Sequence, residues 1–540
     1  MTLLQLLASP HVPSTAVAFV SESTEWTYET VYRRVLQTAK GLDKHFSSLK
    51  RGDRVALLFW NQPECLISLL ALRVLGLVPV PINLLMPPED IAYVFKHAEI
   101  AALVGCESLA LESVKKQGLS LERLTLPKVL CQQTLLTKLV TPSLEGYWKQ
   151  NETLAELEAW LATQPPTLHD ELALLLYTSG TTGTPKGVMI SEANIAASLA
   201  GFQSVLQFKP AEHRFLLGIP LFHCYGLLCS LMALQLGATT YFVPKFQPKQ
   251  LVHHLQHDGI TILPLVPTMF TMILQYAKRL QSSLPAGAKP FGHLQWCISG
   301  GMALAAPLMN DIEATLQATV LEGYGMTETM AAIAVNSPQV GAKIGTVGQV
   351  VEGLQVRLCC PETQATLATY PCVNSPEGEI QVLGANVMQG YYHNPEATAE
   401  VVTPEGWLRT GDLGRFDENG CLVISGGRLK DLIIRAGENI APICIERVLA
   451  QHTAVAEVAC IPKKDTKLGE AILACIQPQP EATDVLQAGD VQHLLIQELK
   501  ALVHQQLSPS FVPDAFMISH DLPKGPTGKI LKKKLKEQYL

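Results

Sequence analysis

The chain has 540 residues, 48% hydrophobic and 16% charged, with a formal net charge of −7. That length exceeds what one hydrophobic core supports, so at least two domains are expected, and the acidic balance argues against a general nucleic-acid binder. The 13 cysteines are odd in number, scattered and without a Cys-x-x-Cys pair; they read as buried thiols of a reducing compartment, not as disulfides or a metal site.

Taken in chain order, the N-terminus lacks the basic stretch of a signal peptide. Residues 65–85 are strongly apolar but contain Arg73, Pro79 and Pro81, so they predict helix, turn and strand, and no transmembrane segment is expected. Strands are predicted over 54–59, 78–82, 171–177, 214–218, 239–243 and 261–263. Helices are predicted over 63–75, 88–97, 225–236, 247–257 and 268–279. Such alternation implies parallel sheets covered on both faces, in two blocks spanning about 30–170 and 175–335. Residues 345–425 carry frequent glycines and strand-like runs at 354–358 and 379–383, which predict a β-rich subdomain. Residues 431–540 have an αβ pattern of their own, with a Pro/Gln/Ala-rich loop at 477–489.

Four segments carry chemistry. In Tyr177-Thr-Ser-Gly-Thr-Thr-Gly-Thr-Pro-Lys-Gly187, glycines admit a phosphate to the backbone. Hydroxyls add donors there, and Lys186 adds positive charge. The spacing is not that of the common P-loop, and a flexible linker is disfavoured by the apolar segments on both sides. In Glu322-Gly-Tyr-Gly-Met-Thr-Glu328, Tyr324 can stack on a base, Thr327 can donate to a phosphate and Glu328 can hold Mg²⁺. A glycine turn capping a helix that begins Thr-Glu fits the same residues. Trp407-Leu-Arg-Thr-Gly-Asp412 puts a carboxylate on a predicted turn. That carboxylate suits ribose hydroxyls, and an Asp that merely shapes a β-turn is the other reading. Leu522-Pro-Lys-Gly-Pro-Thr-Gly-Lys529 places a lysine on a Gly/Pro loop, ahead of a basic tail (Lys532, Lys533, Lys534, Lys536) that reads as solvated.

Together, in this order, these segments resemble the signatures of the adenylate-forming superfamily, and most closely its fatty-acid CoA ligases. The resemblance implies an α/β fold. Its large N-terminal domain, 1–427, would hold two αβ-layered parallel-sheet subdomains and a β-rich subdomain. A hinge at 428–430 would join it to a small mobile α+β domain, 431–540. It implies that Thr178, Ser179, Gly180, Thr181, Thr182, Gly183, Thr184 and Lys186 hold the phosphates of ATP. Gly300, Gly301, Glu322, Gly323, Tyr324, Gly325, Met326 and Thr327 would bind the nucleotide with Asp412 on the ribose and Arg428 on ribose or phosphate. Glu328 would hold Mg²⁺, Lys529 would stabilise the reacting centre, and the backbone of Lys430 would rotate. Thr178, Lys186, Glu328 and Lys529 are the catalytic candidates. The two-step reaction implied is formation of acyl-AMP and pyrophosphate, then transfer to the thiol of CoA.

The substrate is read from the residues. Pro220-Leu-Phe-His223-Cys-Tyr-Gly226 holds no acid to pair an ammonium, which argues against an amino acid. Phe222, Met269, Gly300, Gly301, Met302, Ala303, Met326, Ala331 and Ala332 are apolar or small and would line a pocket for an alkyl chain. His223 would act as a gate or touch the carboxylate, or simply pack at a helix start. A medium- or long-chain fatty acid is expected. Cys444 stands where the family usually has a glutamate, in a segment expected to be a loop near the pantetheine path. This leaves an acyl carrier protein open as the acceptor; an aryl or other carboxylic acid as substrate, and a non-catalytic binding protein, are separate alternatives. The expected location is the cytoplasm, with peripheral membrane contact.

Overall fold

The computed structural model describes residues 3–8, 12–21, 24–86, 88–105, 129–131, 144–149, 151–178, 185–285, 288–341, 343–428, 432–435, 438–465, 468–479, 489–524 and 530–539. Apolar runs become short strands, and those at 54–58, 78–81 and 100–105 are mostly buried. Arg54–Leu58, Val78–Pro81, Ile100–Gly105 and Val129–Cys131 pair in parallel as one sheet. Between them, helix Pro63–Val74 starts on a proline and is buried along almost its whole length. It fits the helical position where a missing N–H costs nothing.

The second sheet has nine strands. Its centre is parallel: Thr319–Tyr324, Trp296–Ser299, Ile262–Leu265, Arg214–Leu217, Thr239–Phe242 and Val17–Ser21. Strand Val17–Ser21 precedes both predicted blocks yet completes the second one, because the central strands need a partner at that edge. Leu265, Ser299 and Glu322 are in register, so their chain segments leave the sheet side by side at its carboxyl end, where open α/β sheets bind ligands.

Strand Leu172–Thr178 differs from the expectation. It pairs antiparallel with Lys186–Ser191, and Lys186–Ser191 pairs antiparallel with Gly390–Tyr391. The two strands that flank the phosphate-loop candidate are therefore antiparallel partners, with Thr178 opposite Lys186. Residues 354–428 form an antiparallel five-stranded sheet. Asp412 lies within its strand Leu408–Phe416 and not on a turn; Gly411 at φ +72° and a register shift at Leu413/Gly414 give the local bend that the sequence suggests as a turn. Gly426 and Gly427, just ahead of the expected hinge at 428–430, belong to the neighbouring strand Leu422–Arg428.

Residues 433–539 build around their own cores. Ile433, Ile445, Leu449, Ile472, Leu499 and Val503 form one, and Ile461, Leu473, Leu522 and Leu535 a second. Cys444 sits in helix Pro442–Leu449, not in a loop. The basic tail is helix Lys532–Tyr539. Its Leu535 is fully buried, and Lys532 pairs with Glu446 at 2.7 Å, so Lys532 is a docking residue and not a solvated charge. Among the described residues no helix is long and apolar enough to cross a membrane.

Candidate active site

The site is built at the end of Thr319–Tyr324. That strand runs on through Glu322 and Gly323 to Tyr324, and the chain then doubles back. Gly325 makes the reversal possible: a Cβ there would lie 2.1 Å from the Ala331 carbonyl oxygen. No side chain fits that gap. Met330 and Ala331 take positive φ, Ala331 N–H donates to Met326 O at 2.8 Å, and Ile333 N–H donates to Tyr324 O at 3.0 Å. A short 3₁₀ turn, Thr327–Thr329, presents Glu328. Buried amides fix this turn against its surroundings. Asn386 Nδ2 donates to Ala332 O at 2.6 Å, and Asn194 Nδ2 donates to Ala385 O and Val387 O at 2.7 and 2.8 Å. Satisfied buried amides of this kind specify one arrangement, since an alternative leaves them unpaired.

Two carboxylates are each held by a tyrosine. Tyr324 donates from its hydroxyl to Asp412 Oδ2 at 2.6 Å, joining the parallel sheet to the β-rich sheet. Tyr391 donates to Glu328 Oε1 at 2.7 Å, and its ring centroid lies 4.9 Å from Lys186 Nζ. Glu328 is 8% exposed. Its backbone oxygen accepts from Met388 N–H at 2.8 Å. Thus Tyr324 meets Asp412, and Glu328 meets Lys186 across Tyr391. Ser179, Gly180, Thr181, Thr182, Gly183, Thr184, Lys430 and Lys529 lie outside the described residues. Arg428 is paired through its backbone with Asp412, and its side chain lies outside what is described.

Beside this cluster, Thr327 Oγ1 is 3.5 Å from Cys224 Sγ. Burial pushes the Cys224 thiol up to about 11, and the nearby Glu328 carboxylate adds to the effect. It stays protonated at neutral pH and offers no thiolate nucleophile. His223 is the N-cap of helix Cys224–Gln235, its Nδ1 accepting from Tyr225 N–H at 3.2 Å. That geometry puts His223 in the helix-start role. Burial raises the Glu322 carboxyl to about 7, against the favourable hydrogen bond from Leu304 N–H at 3.0 Å and the charge of Arg447.

The expected pocket residues divide. Phe222, Met302, Met326 and Ala331 are half-buried and Met269 is nearly covered, whereas Ala303 is exposed. Ala332 is fully buried in the core with its oxygen taken by Asn386, so it lines nothing. Gly300 and Gly323 face each other: a Cβ on Gly300 would be 3.6 Å from Gly323 O and 3.3 Å from the Tyr225 ring. Tyr225 is buried, with its hydroxyl on Ile298 O at 2.8 Å. Sequence reasoning missed Tyr225 and Tyr391. The Gly390-Tyr391-Tyr392 run is the one local signal for the latter, and it carries no charge to mark it.

The chemistry of the donor set fits a nucleotide triphosphate with Mg²⁺. Glu328 is a single hard oxygen donor that forms no ion pair among the described residues. No cluster of three or more ligating side chains occurs among them. Mg²⁺ is held in this way, by one or two carboxylates with substrate phosphates completing its shell.

The model of the AMP-binding enzyme family matches residues 8–392, and that of the AMP-binding enzyme C-terminal domain matches residues 444–529. The chain belongs to the AMP-binding enzyme family. It is 29% identical to a long-chain-fatty-acid–CoA ligase of Bacillus subtilis, over 97% of this chain and 91% of that protein. It is 31% identical to a sulfoacetate–CoA ligase of Cupriavidus necator, over 91% of this chain and 88% of that protein. Among solved structures, ATP-bound MatB from Rhodopseudomonas palustris superposes with a TM-score of 0.80 at 28% identity, over 100% of this chain and 99% of that one. The adenylate-forming resemblance and the α/β fold class are borne out. This AMP-binding enzyme is an ATP-dependent, AMP-forming acid–CoA ligase.

Proposed function

We propose that the enzyme activates a medium- or long-chain fatty acid to acyl-AMP and then transfers the acyl group to CoA. One observation carries the choice of acid. The stretches expected to line the acyl pocket, 220–226, 266–269, 300–304 and 326–332, contain no lysine or arginine. Sulfoacetate, malonate and succinylbenzoate, the acids named for some relatives, each carry a second acidic group. Burying it without a cation is costly. An alkyl chain beside Phe222, Met269, Met302, Met326 and Ala331 has no such cost, and methionines adapt to its shape.

In this reading the segment from Thr178 to Lys186 holds the β- and γ-phosphates. Tyr324 stacks on the adenine between glycines 300, 301, 323 and 325, with Glu322 and Met326 beside it. Asp412 and Arg428 bind the ribose, and Thr327 donates to the α-phosphate. Glu328 would hold Mg²⁺, which neutralises phosphate charge when bound. Lys529 stabilises the charge that develops as the carboxylate oxygen attacks the α-phosphorus in line and pyrophosphate leaves. No protein nucleophile is needed; positioning and electrostatics suffice. The domain 431–540 then turns about 428–430 at Lys430, withdrawing Lys529 and admitting the CoA thiol to the acyl carbonyl. Attack by the thiol expels AMP. Residues 1–427 remain in place throughout.

The test is pyrophosphate release with C2–C18 acids, aryl acids and dicarboxylates, with and without CoA. Release that depends on C8–C16 acids and on CoA supports the proposal. Preference for a dicarboxylate or sulfonate overturns the choice of acid. Acid-dependent release that CoA does not stimulate overturns the acceptor in favour of an acyl carrier protein.

A further inference from the structure

We infer that Tyr391 is the positioning residue of the phosphate end of the site, acting through Glu328 and Lys186. This rests on the reading above, in which those two residues meet Mg²⁺ and the phosphates. Tyr391 is distant in sequence from both and is 7% exposed. Its strand, Gly390–Tyr391, is placed by pairing with Met189 and Val188. Its own N–H donates to Thr398 Oγ1 at 2.9 Å. Gly390 takes φ +133°, and a Cβ there would meet Thr398 Cγ2 at 2.9 Å, so only glycine lets the strand approach. The flanking backbone makes the same bridge: Met388 N–H donates to Glu328 O at 2.8 Å and Tyr392 N–H to Gly187 O at 2.7 Å.

One side chain therefore serves two charged groups. Its hydroxyl, donated to Oε1 at 2.7 Å, orients the Glu328 carboxylate and leaves Oε2 for a cation. Its ring, 4.9 Å from Lys186 Nζ, holds that ammonium by cation–π attraction. Partners that orient a ligating carboxylate are worth about 10–100-fold in metal affinity.

The experiment is calorimetric titration of the full-length enzyme with α,β-methylene-ATP across a Mg²⁺ series, with no acid present. Tyr391→Phe keeps the ring and removes the hydroxyl. It should raise the Mg²⁺ concentration for half-saturation about tenfold and leave nucleotide binding in EDTA unchanged. Tyr391→Leu should weaken both. In a Glu328→Gln background, Tyr391→Phe should add nothing further. A normal Mg²⁺ dependence in Tyr391→Phe, or a penalty that adds in full to that of Glu328→Gln, overturns the inference. Wild-type Mg²⁺ dependence in Glu328→Gln overturns it as well, by removing the carboxylate reading on which it rests. Because no acid is used, none of these outcomes depends on which acid the enzyme activates.

Discussion

The two ends of the chain solve different problems. From Leu3 to Leu422 one continuous hydrophobic cluster runs through the nine-stranded parallel-centred sheet and into the β-rich sheet. Tyr324, Glu328, Asp412 and Lys186 all project from this body. Residues 433–539 instead close around two small cores of their own. Among the described residues, their side-chain hydrogen bonds to the preceding strand include Arg447 Nη2 to Ile424 O at 2.8 Å and Cys444 Sγ to Ser425 O at 3.4 Å. Packing that deep suits the fixed frame of the proposed cycle, and separate cores suit a second part that turns against it.

The comparison is broken most severely inside the frame. Arg73 and Glu192 are each 2% exposed and paired at 3.1 Å. Arg73 also donates to Leu77 O at 2.9 Å and Leu172 O at 3.2 Å, so one guanidinium joins the helix Pro63–Val74, strand Leu172–Thr178 and the start of helix Glu192–Leu206. Glu192→Ala should destabilise the frame by about 3 kcal/mol, since it leaves the buried Arg73 with only the more distant carboxylate of Glu171, at 4.0 Å, as counter-charge. In urea, the transition of the frame should move to lower concentration and that of the C-terminal region should not. Arg73→Met with Glu192→Leu should recover most of the loss. Equal shifts in both transitions would contradict two separate bodies.

A second effect should appear in activity alone. Lys529→Ala should lower acid-dependent ATP–pyrophosphate exchange by ~10²-fold, the loss typical of a transition-state donor. Thioester formation from pre-made acyl-AMP should be spared, because the frame keeps the adenylate and only the turned domain has lost a residue. Equal loss in both half-reactions would end the account in which one hinge serves two steps.

Much of the frame is legible in the sequence. Apolar runs such as Arg54–Leu58 and Thr239–Phe242, spaced by amphipathic or apolar helical stretches, are compatible with little besides a covered parallel sheet. The direction of pairing is not legible: Leu172–Thr178 reads as a buried strand, and nothing in seven residues says that its partner, Lys186–Ser191, returns antiparallel. Asp412 reads as a turn residue because Thr-Gly-Asp is ordinary turn chemistry, yet the same residues fit a bulged strand. In the site, residue types announced Tyr324, Glu328 and Lys186. What could not be read is that Tyr324 meets Asp412 and Tyr391 meets Glu328, because those contacts exist only once distant segments are folded together. Lys532 was hidden for the same reason, since its partner Glu446 lies far upstream.

Glu322 sharpens the comparison through pH. Burial in the frame raises its carboxyl from the ordinary 4.5 to about 7. The folded state therefore binds more proton than the unfolded state between those values. Its contribution favours folding below about 4.5 and is lost as pH rises through about 7. A shift of that size corresponds to roughly 3 kcal/mol. Glu322→Gln should flatten this part of the stability profile of the frame, measured by denaturation from pH 4.5 to 8. An unchanged slope would show that Glu322 is already ionised throughout the range.

The smallest expected effect lies at the boundary. Arg447 hydrogen-bonds Ile424 O, and its charge favours the ionised form of Glu322, so the C-terminal region touches strand Leu422–Arg428 and acts electrostatically on strand Thr319–Tyr324. One neutral-acceptor hydrogen bond is worth roughly 0.5–1.5 kcal/mol. Losing it should change the balance between domain orientations only several-fold. Arg447→Ala should therefore leave the melting of the frame almost unmoved while altering the ratio of pyrophosphate exchange to thioester formation. It should also push the Glu322 titration, followed by carbon NMR of labelled glutamate, further upward, because the nearby cation is gone. If the Glu322 titration moves and the ratio of half-reactions does not, Arg447 is an electrostatic neighbour and the grip on Ile424 plays no part in the turn. If the ratio moves without the titration, the hydrogen bond alone governs how readily the domain leaves the orientation seen here.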